Sequence, residues 1–340
     1  MQKSITFTIA ALLGFSLIIG CGNQQDEMTT GMITGIITDS TGALLDSVLI
    51  ITDPATSSVY SDDTGAYQIP DVQPGDYTVE GRKRTYIPGY VAVTVTAGDI
   101  STADITLQQN VRCVLAEMLT TACHCADDAR DEMYSIKANL GDQCAYLEYH
   151  ASCDPGIETW DPFVSAESEA RRLFYGADTF MIGEWVYFDG TTLHYTPGSY
   201  QEAVDSLGGI YSPLVMRVTG SYSSATGTGT IDLDITAVDS IVYSDLVVEF
   251  GVYDRGPVFY APDSFCVIPF HYFLVAMPSN EALSISYGQT VSISKAFTVP
   301  DSIGGSVPPF YYVNKTNIGM SVFVQSTGTR QVLQAANIDF

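Results

Sequence analysis

The stretch VLAEMLTTACHC, residues 114–125, decides how the centre of the chain folds. It is an apolar run of β type that ends in two cysteines separated by one residue. Apolar residues then recur at helical spacing before Gly141, at Ala126, Ala129, Met133, Ile136 and Leu140. Because this spacing places them on one helix face, the pattern predicts a strand over 113–119 and then a helix that the cysteines open.

Strands and helices continue to alternate as far as residue 209. Further strands are predicted at Cys144–Tyr149 and Trp185–Phe188. Ser165 is placed to cap a helix that stops at Gly176. Ser199-Tyr200-Gln201-Glu202 has the spacing of a capping box, which predicts a third helix that closes at Gly208-Gly209. The alternation predicts an α/β domain over residues 111–209.

Residues 31–107 contain short β-type runs separated by turns, and no helical period is found there. The segment resembles the carboxypeptidase regulatory-like domain, a transthyretin-like β-sandwich. The matching landmarks are Gly35–Asp39, Gly42, Asp63–Tyr67, Pro74–Tyr77, Gly89-Tyr90 and Gly98. The resemblance implies a spacer or adhesive platform without a catalytic group.

From residue 210 to residue 340 the sequence again contains β-type runs, roughly seven of them, separated by Gly, Pro and Ser clusters. Runs of this kind predict a C-terminal antiparallel β-sandwich. The fold class expected for the whole chain is therefore multidomain and mostly β, with an α/β domain between two β-sandwiches.

The first twenty residues have the build of a secretory signal, with Lys3 as the only charge and an apolar run from Ile5 to Ile19. Ile18-Ile19-Gly20-Cys21 resembles the bacterial lipobox, which implies cleavage of residues 1–20 and acylation of Cys21. Acyl chains on the cysteine and its amine would anchor the protein stably. Residues 21–30 are then expected to be a lipidated tether, and Gly22 favours the outer membrane, with the protein facing the periplasm or the cell surface.

Charge and cysteine content limit the partners. The 340 residues include 14 Lys and Arg against 39 Asp and Glu, a net charge of −25, which disfavours nucleic acid as a partner. Seven cysteines in an exported chain favour disulfides. No cofactor is implied, the expected partners are the membrane and an envelope protein, and the sequence does not give the oligomeric state.

Residues 111–340 together resemble a family of thioredoxin-like outer-membrane lipoproteins. The landmarks, in chain order, are residues 114–125, Glu148-Tyr149-His150, Glu167–Arg171, Phe188-Asp189-Gly190, Val322–Gln325 and Val332–Ala335. The resemblance implies Cys123 and Cys125 as the catalytic pair of a thiol–disulfide oxidoreductase, at a helix start that stabilises a thiolate.

Two departures from that family favour a non-catalytic role. Cys123 and Cys125 have one residue between them where thioredoxins have two, so a disulfide within the pair would be strained. Glu184 stands where the family tends to have a proline, and a carboxylate beside a thiolate would lower its reactivity. We expect a binding, scaffold or assembly role, with oxidoreductase activity as the alternative.

The remaining cysteines and histidines leave further alternatives open. Cys153 can offer Cys123 or Cys125 a less strained disulfide, and Cys113 and Cys144 are a second candidate pair. His124, His150 and Glu184 are candidates for lining the site. The cysteines and histidines near the helix start could also bind zinc or copper, but their spacing matches no established metal motif, so no metal site is predicted.

Overall fold

The structure is a computed structural model, and it describes residues 29–121, 127–151, 161, 163–177, 185–194, 198–256, 258–260, 267–304 and 311–340. Strands dominate these residues, which confirms the expected mostly β, multidomain fold class. Among the residues described, no helix is long and apolar enough to cross a membrane.

The N-terminal module is a β-sandwich. Its strands are β1 (Gly31–Asp39), β2 (Leu49–Asp53), β3 (Val59–Tyr60), β4 (Ala66–Val72), β5 (Gly75–Arg82), β6 (Tyr86–Ile87), β7 (Gly89–Val95), β8 (Ile100–Thr102) and β9 (Ile105–Gln109). One sheet has the order β4-β1-β9-β6 with β8 also paired to β1, and the other has the order β3-β2-β5-β7. Alternate residues such as Ile33, Ile37, Ile50 and Val79 are buried between the sheets, as half-buried strands require.

The chain enters and leaves this module at opposite ends. β1 is the first strand and β9 the last, and they pair in parallel, with Ile37 opposite Ile105 and Asp39 opposite Leu107. Gly31 therefore lies at one end of the sheet and Gln109 at the other. At about 3.3 Å per residue, the nine residues of β1 set these ends roughly 30 Å apart.

An α/β unit follows. Its elements are β10 (Val114–Thr120), α1 (Asp127–Leu140), a 3₁₀ turn (Gly141–Gln143), β11 (Cys144–His150), α2 (Ala166–Tyr175), β12 (Trp185–Phe188), β13 (Thr192–His194) and α3 (Tyr200–Gly208). The strand order is β13-β12-β10-β11, with β10 and β11 parallel and the other two pairings antiparallel. α1 and α3 cover one face of this sheet, and α2 packs on the other.

The helix caps only partly follow the sequence. Ser165 caps α2 as expected, accepting a hydrogen bond from the Ser168 amide, and Gly176 ends that helix in the left-handed region at φ 70°. The capping box expected for α3 is wrong, because the Ser199 side chain makes no capping hydrogen bond. Glu132 of α1 takes that role instead, accepting hydrogen bonds from the backbone amides of Gly198, Tyr200 and Gln201. The start of α3 is therefore capped by a residue that is distant in sequence.

The C-terminal region is the expected β-sandwich. Its strands are β14 (Leu214–Ser223), β15 (Thr228–Ala237), β16 (Leu246–Asp254), β17 (Val258–Tyr260), β18 (Val267–Pro269), β19 (Phe273–Ala276), β20 (Glu281–Leu283), β21 (Thr290–Thr298), β22 (Ser302–Ile303), β23 (Tyr311–Tyr312), β24 (Ile318–Ser326) and β25 (Val332–Asp339). The sheet β14-β15-β21 faces β19-β16-β24-β25 across an apolar core that includes Leu233, Phe250 and Val322.

One sheet joins the α/β unit to this sandwich. β11 pairs in parallel with β19 through Glu148 and Phe273, which gives the order β13-β12-β10-β11-β19-β16-β24-β25 with β20 beside β16. Leu115 and Leu147 on the α2 side of that sheet pack in one cluster with Phe323 of β24. The expected division at residue 209/210 remains a prediction, and hydrogen bonding and packing run across it. We call residues 111–340 the platform.

The N-terminal module is docked on the platform at a defined joint. The buried Asn110 side chain donates to the carbonyls of Ser212 and Leu214 at 2.9 and 2.8 Å. Its backbone amide bonds to the carbonyl of Thr85 at 2.8 Å. Nearby, Arg84 pairs with Asp239, with 2.6 Å between Nε and Oδ1. Contacts of this kind oppose bending where the sequence alone would suggest a linker.

Candidate functional site

The carboxyl edge of β10 and β11 is where the sequence places its site. Thr121 follows β10 and His150 ends β11 at this edge. The other residues predicted for the site or for lipidation lie outside the described residues: Cys21, Cys123, His124, Cys125, Cys153 and Glu184. Their roles remain predictions. The structure does describe the residues that surround this edge of the sheet.

A buried charge network, which we call the edge cluster, lies at this position and consists of Arg130, Tyr134, Glu148, His150 and Asp161. Arg130 Nε lies 3.0 Å from Oε1 of Glu148, and the Tyr134 hydroxyl donates to Oε2 of Glu148 at 2.9 Å. The side chains of Arg130 and Glu148 are 2% and 0% exposed, so neither charge is solvated by bulk water. Each must be compensated inside the protein, which this geometry provides.

His150 is a cation within the edge cluster. Its Nδ1 lies 2.9 Å from Oδ2 of Asp161, and its Nε2 lies 3.4 Å from Oε1 of Glu148, an ion pair without good hydrogen-bond alignment. Burial disfavours the charged ring, but the two carboxylates outweigh it and raise the pKa of His150 to about 9. At neutral pH both ring nitrogens therefore carry protons. In that state His150 has no lone pair to offer a metal ion or to accept a proton.

Arg130 connects the edge cluster to the cysteine segment. Its Nη2 donates to the carbonyl of Thr121 at 2.8 Å, and its Nη1 lies 2.6 Å from Oδ1 of Asp127. Thr121 stands two residues before Cys123 in the chain. A fixed guanidinium is thus bonded to the backbone that leads into the predicted thiol site.

A second buried network lies on the opposite face of the sheet. Arg171 of α2 forms a two-pronged pair with Glu117 of β10, at 2.7 and 2.8 Å, and Tyr175 donates a short hydrogen bond to the same carboxylate. The guanidinium also lies 5.2 Å from the ring centre of Phe323 on β24. The only carboxylate of β10 is therefore engaged in an ion pair that joins the α/β unit to the sandwich, and it is not free for proton transfer.

The other landmark residues also hold the platform together. Asp189 accepts hydrogen bonds from the Leu115 amide and from Arg112, both at 2.9 Å. Gly190 has φ 75°, and an added Cβ would lie 1.9 Å from the carbonyl oxygen of Arg330, so only glycine fits. Gln334 of β25 accepts from the Cys113 amide at 2.8 Å. These residues serve packing and register.

The expected disulfide between Cys113 and Cys144 is not formed. The two cysteines stand at the starts of neighbouring parallel strands, as predicted, but both are free thiols and both are buried. Burial raises the pKa of the Cys144 thiol to about 12, and it also raises that of Cys113. Both therefore stay protonated and unreactive at neutral pH.

Comparison with known families concerns the N-terminal module. Residues 32–108 match the carboxypeptidase regulatory-like domain family. The N-terminal module is a carboxypeptidase regulatory-like domain. The prediction made for this module from its glycine and turn landmarks is thereby confirmed. Comparison with curated proteins finds no match to the sequence. From here on we call this module the regulatory-like domain.

One of the solved structures that align with the chain shows a similar fold over a larger share of it. HBP35 of Porphyromonas gingivalis aligns with a TM-score of 0.52 at 10% identity, covering 68% of this chain and 76% of its own. Protein AGR_C_4864 from Agrobacterium tumefaciens aligns at 0.44 and 13% identity, covering 68% and 95%. The minor pilin GBS52 of Streptococcus agalactiae aligns at 0.21 and 18%, covering 24% and 45%. At such identities the first match concerns the fold alone.

Sequence reasoning missed most of the buried charges. Glu117 was a detectable signal, because a carboxylate inside an otherwise apolar strand usually has a buried partner. Arg130 gave no such signal, since it stands in a polar stretch that is typical of solvent-exposed surface, and Asp161 gave none because an aspartate before a proline is typical of a turn.

Proposed function

We propose that this protein is a lipid-anchored envelope protein with a non-catalytic binding or assembly role, in which the regulatory-like domain is a spacer that holds the platform away from the outer membrane. The observation that carries the proposal is the parallel pairing of β1 with β9. It puts the tethered end at Gly31 and the platform end at Gln109 on opposite sides of the domain.

The joint supports the spacer role. A spacer transmits a fixed distance only if its connection to the next unit is stiff, and domains joined by few contacts move by default. Here Asn110 is buried and bonded on both sides of the joint, and Arg84 adds a charged contact with Asp239. The domain therefore adds about 30 Å to whatever distance the tether spans.

We assign the α/β unit to a degenerate thioredoxin-like domain. Support comes from its strand–helix–strand–helix–hairpin–helix order and from β10 and β11 being parallel with β12 antiparallel. The single residue between Cys123 and Cys125 argues against redox turnover. So does the engagement of Glu117 with Arg171. Continuity of the sheet into the sandwich makes this unit part of a larger rigid surface.

Arg130 specifically favours the alternative, a thiol–disulfide oxidoreductase. A guanidinium bonded to the Thr121 carbonyl places positive charge close to the cysteine segment. Positive charge near a cysteine lowers the pKa of its thiol and promotes the thiolate. Chemistry at Cys123 would then depend on Arg130.

Thiol reactivity tests the proposal. The purified protein and a Cys123→Ser variant should reduce insulin at the same background rate, and brief iodoacetamide treatment at pH 7 should label neither Cys123 nor Cys125. Cys125→Ser should trap no mixed disulfides in cells. Turnover that Cys123→Ser abolishes, or substrates trapped on Cys125→Ser, would establish the oxidoreductase instead.

A further inference from the structure

A cleft lies between the regulatory-like domain and the sandwich. From the regulatory-like domain it is lined by Glu80, Arg82 and Tyr90 among others, and from the sandwich by Thr236, Tyr287 and Thr290. We call it the joint cleft. Its cavity volume is about 40 Å³. Because small-molecule sites have roughly 300–1,000 Å³, only a group the size of a carboxylate fits inside the cleft, and the rest of a ligand would lie against the exposed rings at its mouth.

The shape of the joint cleft is fixed by the docking of the two domains. Gly288 forms part of its wall with φ 80°, and its amide bonds to the carbonyl of Ala237 at 2.8 Å. An added Cβ on Gly288 would lie 3.6 Å from Nη1 of Arg82. The backbone of the sandwich therefore approaches the Arg82 guanidinium closely, and the cleft exists only in the docked arrangement.

Arg82 is pre-oriented at the joint cleft. Its Nε and Nη2 donate to the two oxygens of Glu80 at 2.6 and 3.0 Å, and the Tyr90 hydroxyl bonds to the same carboxylate at 3.2 Å. Nη1 has no hydrogen-bond partner among the described residues. Because the guanidinium is planar and already held, this nitrogen can meet an anionic group at little entropic cost.

A second cation lies near the same tyrosine. Arg217 of β14 forms no ion pair within the described parts of the chain, and its charge, like that of Arg82, opposes the rise in the pKa of Tyr90 that burial causes. The charges of Arg82 and Glu80 nearly cancel, so Arg217, which is outside the cleft lining, supplies the positive charge that favours an anion near Tyr90 in a chain of net charge −25.

The two tyrosine rings point to the kind of anion. Tyr90 and Tyr287 come from different domains, and they remain 56% and 47% exposed although they line a domain boundary. Tyrosine rings that served only to fill the interface between the two domains would be buried in it. An exposed tyrosine offers a flat apolar face and a hydroxyl tip, which match the C–H face and the hydroxyl edge of a pyranose. The hydroxyls of Thr236 and Thr290 add polar groups to the wall.

We propose that the joint cleft binds a sugar unit that carries a carboxylate, such as a uronic acid at the end of a glycan. The carboxylate meets Nη1 of Arg82, and the pyranose ring lies against Tyr90 or Tyr287. This site lies apart from the edge cluster and does not depend on the lipid anchor.

Titration of the full-length protein by calorimetry and saturation-transfer NMR tests this site. The probes are D-glucuronate, D-glucose as the same ring without the carboxylate, and acetate as the carboxylate without the ring. Glucuronate should bind with a Kd on the order of 0.1–1 mM, as expected for a ligand with few contacts. Glucose and acetate should each bind at least tenfold more weakly.

Variants link the binding to the joint cleft. Arg82→Gln and Tyr287→Ala should each weaken glucuronate binding at least tenfold, whereas Tyr60→Ala, an exposed tyrosine on β3 outside the cleft, should leave it unchanged. Tyr287 lies on an exposed turn, so Tyr287→Ala should fold and can test the site even if Arg82→Gln does not fold. Three outcomes would overturn the proposal: no saturable glucuronate binding, equal binding of glucose or acetate, or glucuronate binding that both variants retain.

Discussion

Removing one partner of the ion pair between Glu117 and Arg171 should strongly destabilise the platform. Their side chains are 0% and 3% exposed and meet through two hydrogen bonds. Arg171→Met removes the guanidinium bonded to Glu117, so a charged carboxylate is left in the core. Breaking a buried pair in this way costs about 3–5 kcal/mol of unfolding free energy. Glu117→Gln leaves the Arg171 guanidinium without its carboxylate partner and should lower the unfolding free energy by a similar amount.

A double-mutant cycle measures this coupling. Urea unfolding is followed by tryptophan fluorescence, to which Trp185 on β12, next to β10, contributes. The double variant should lose less stability than the sum of the single variants, by about 1–3 kcal/mol, because it leaves no unpaired charge in the core. Lys315→Met at the solvent-exposed pair with Asp301 is the control and should barely move the transition. An Arg171→Met transition that coincides with the control would refute the reasoning.

Three further predictions follow from single contacts. Glu132→Gln should destabilise the protein by about 1 kcal/mol in urea unfolding and Ser199→Ala by less, because Glu132 rather than Ser199 caps α3. A larger loss of stability for Ser199→Ala than for Glu132→Gln would show that Ser199 is the cap after all. The pKa of His150 is raised from 6.5 to about 9 by its carboxylate neighbours, so its stabilising contribution is complete below pH 6.5 and is lost as the pH rises through about 9. The melting temperature should fall across that window, and His150→Gln should flatten the fall; equal slopes would contradict a buried imidazolium. Cys21→Ala should leave uncleaved precursor or release the protein from membranes, and unchanged fractionation with a normal mature mass would exclude the anchor.

Local signals in the sequence predicted local structure well. Ser165 and Gly176 define α2 because both ends of that helix are capped within a few residues of the chain. The strands of the regulatory-like domain follow from alternation and turn residues that act over short separations. β25 carried one recognised landmark, Val332–Ala335, yet the sequence did not predict it as a strand.

Long-range pairing could not be predicted. Nothing in the chain between Tyr149 and Phe273 indicates that β11 and β19 are neighbours, because sheet register is decided by tertiary packing. The helix start of α3 depends on Glu132, which lies 66 residues before Gly198. His150 was a site candidate, but its partners in the edge cluster were missed for the same reason.

The distance across the joint tests the central claim, that a rigid spacer carries the platform. Spin labels would be placed by non-natural residues at Ile100 and Val242, which are 67% and 83% exposed, the first near the Gly31 end of the spacer and the second on the sandwich. Pulsed electron spin resonance should give one narrow distance distribution in the full chain, and Asn110→Gly combined with Arg84→Ala should broaden it. A broad distribution in the unaltered protein would show a flexible joint and would contradict the account.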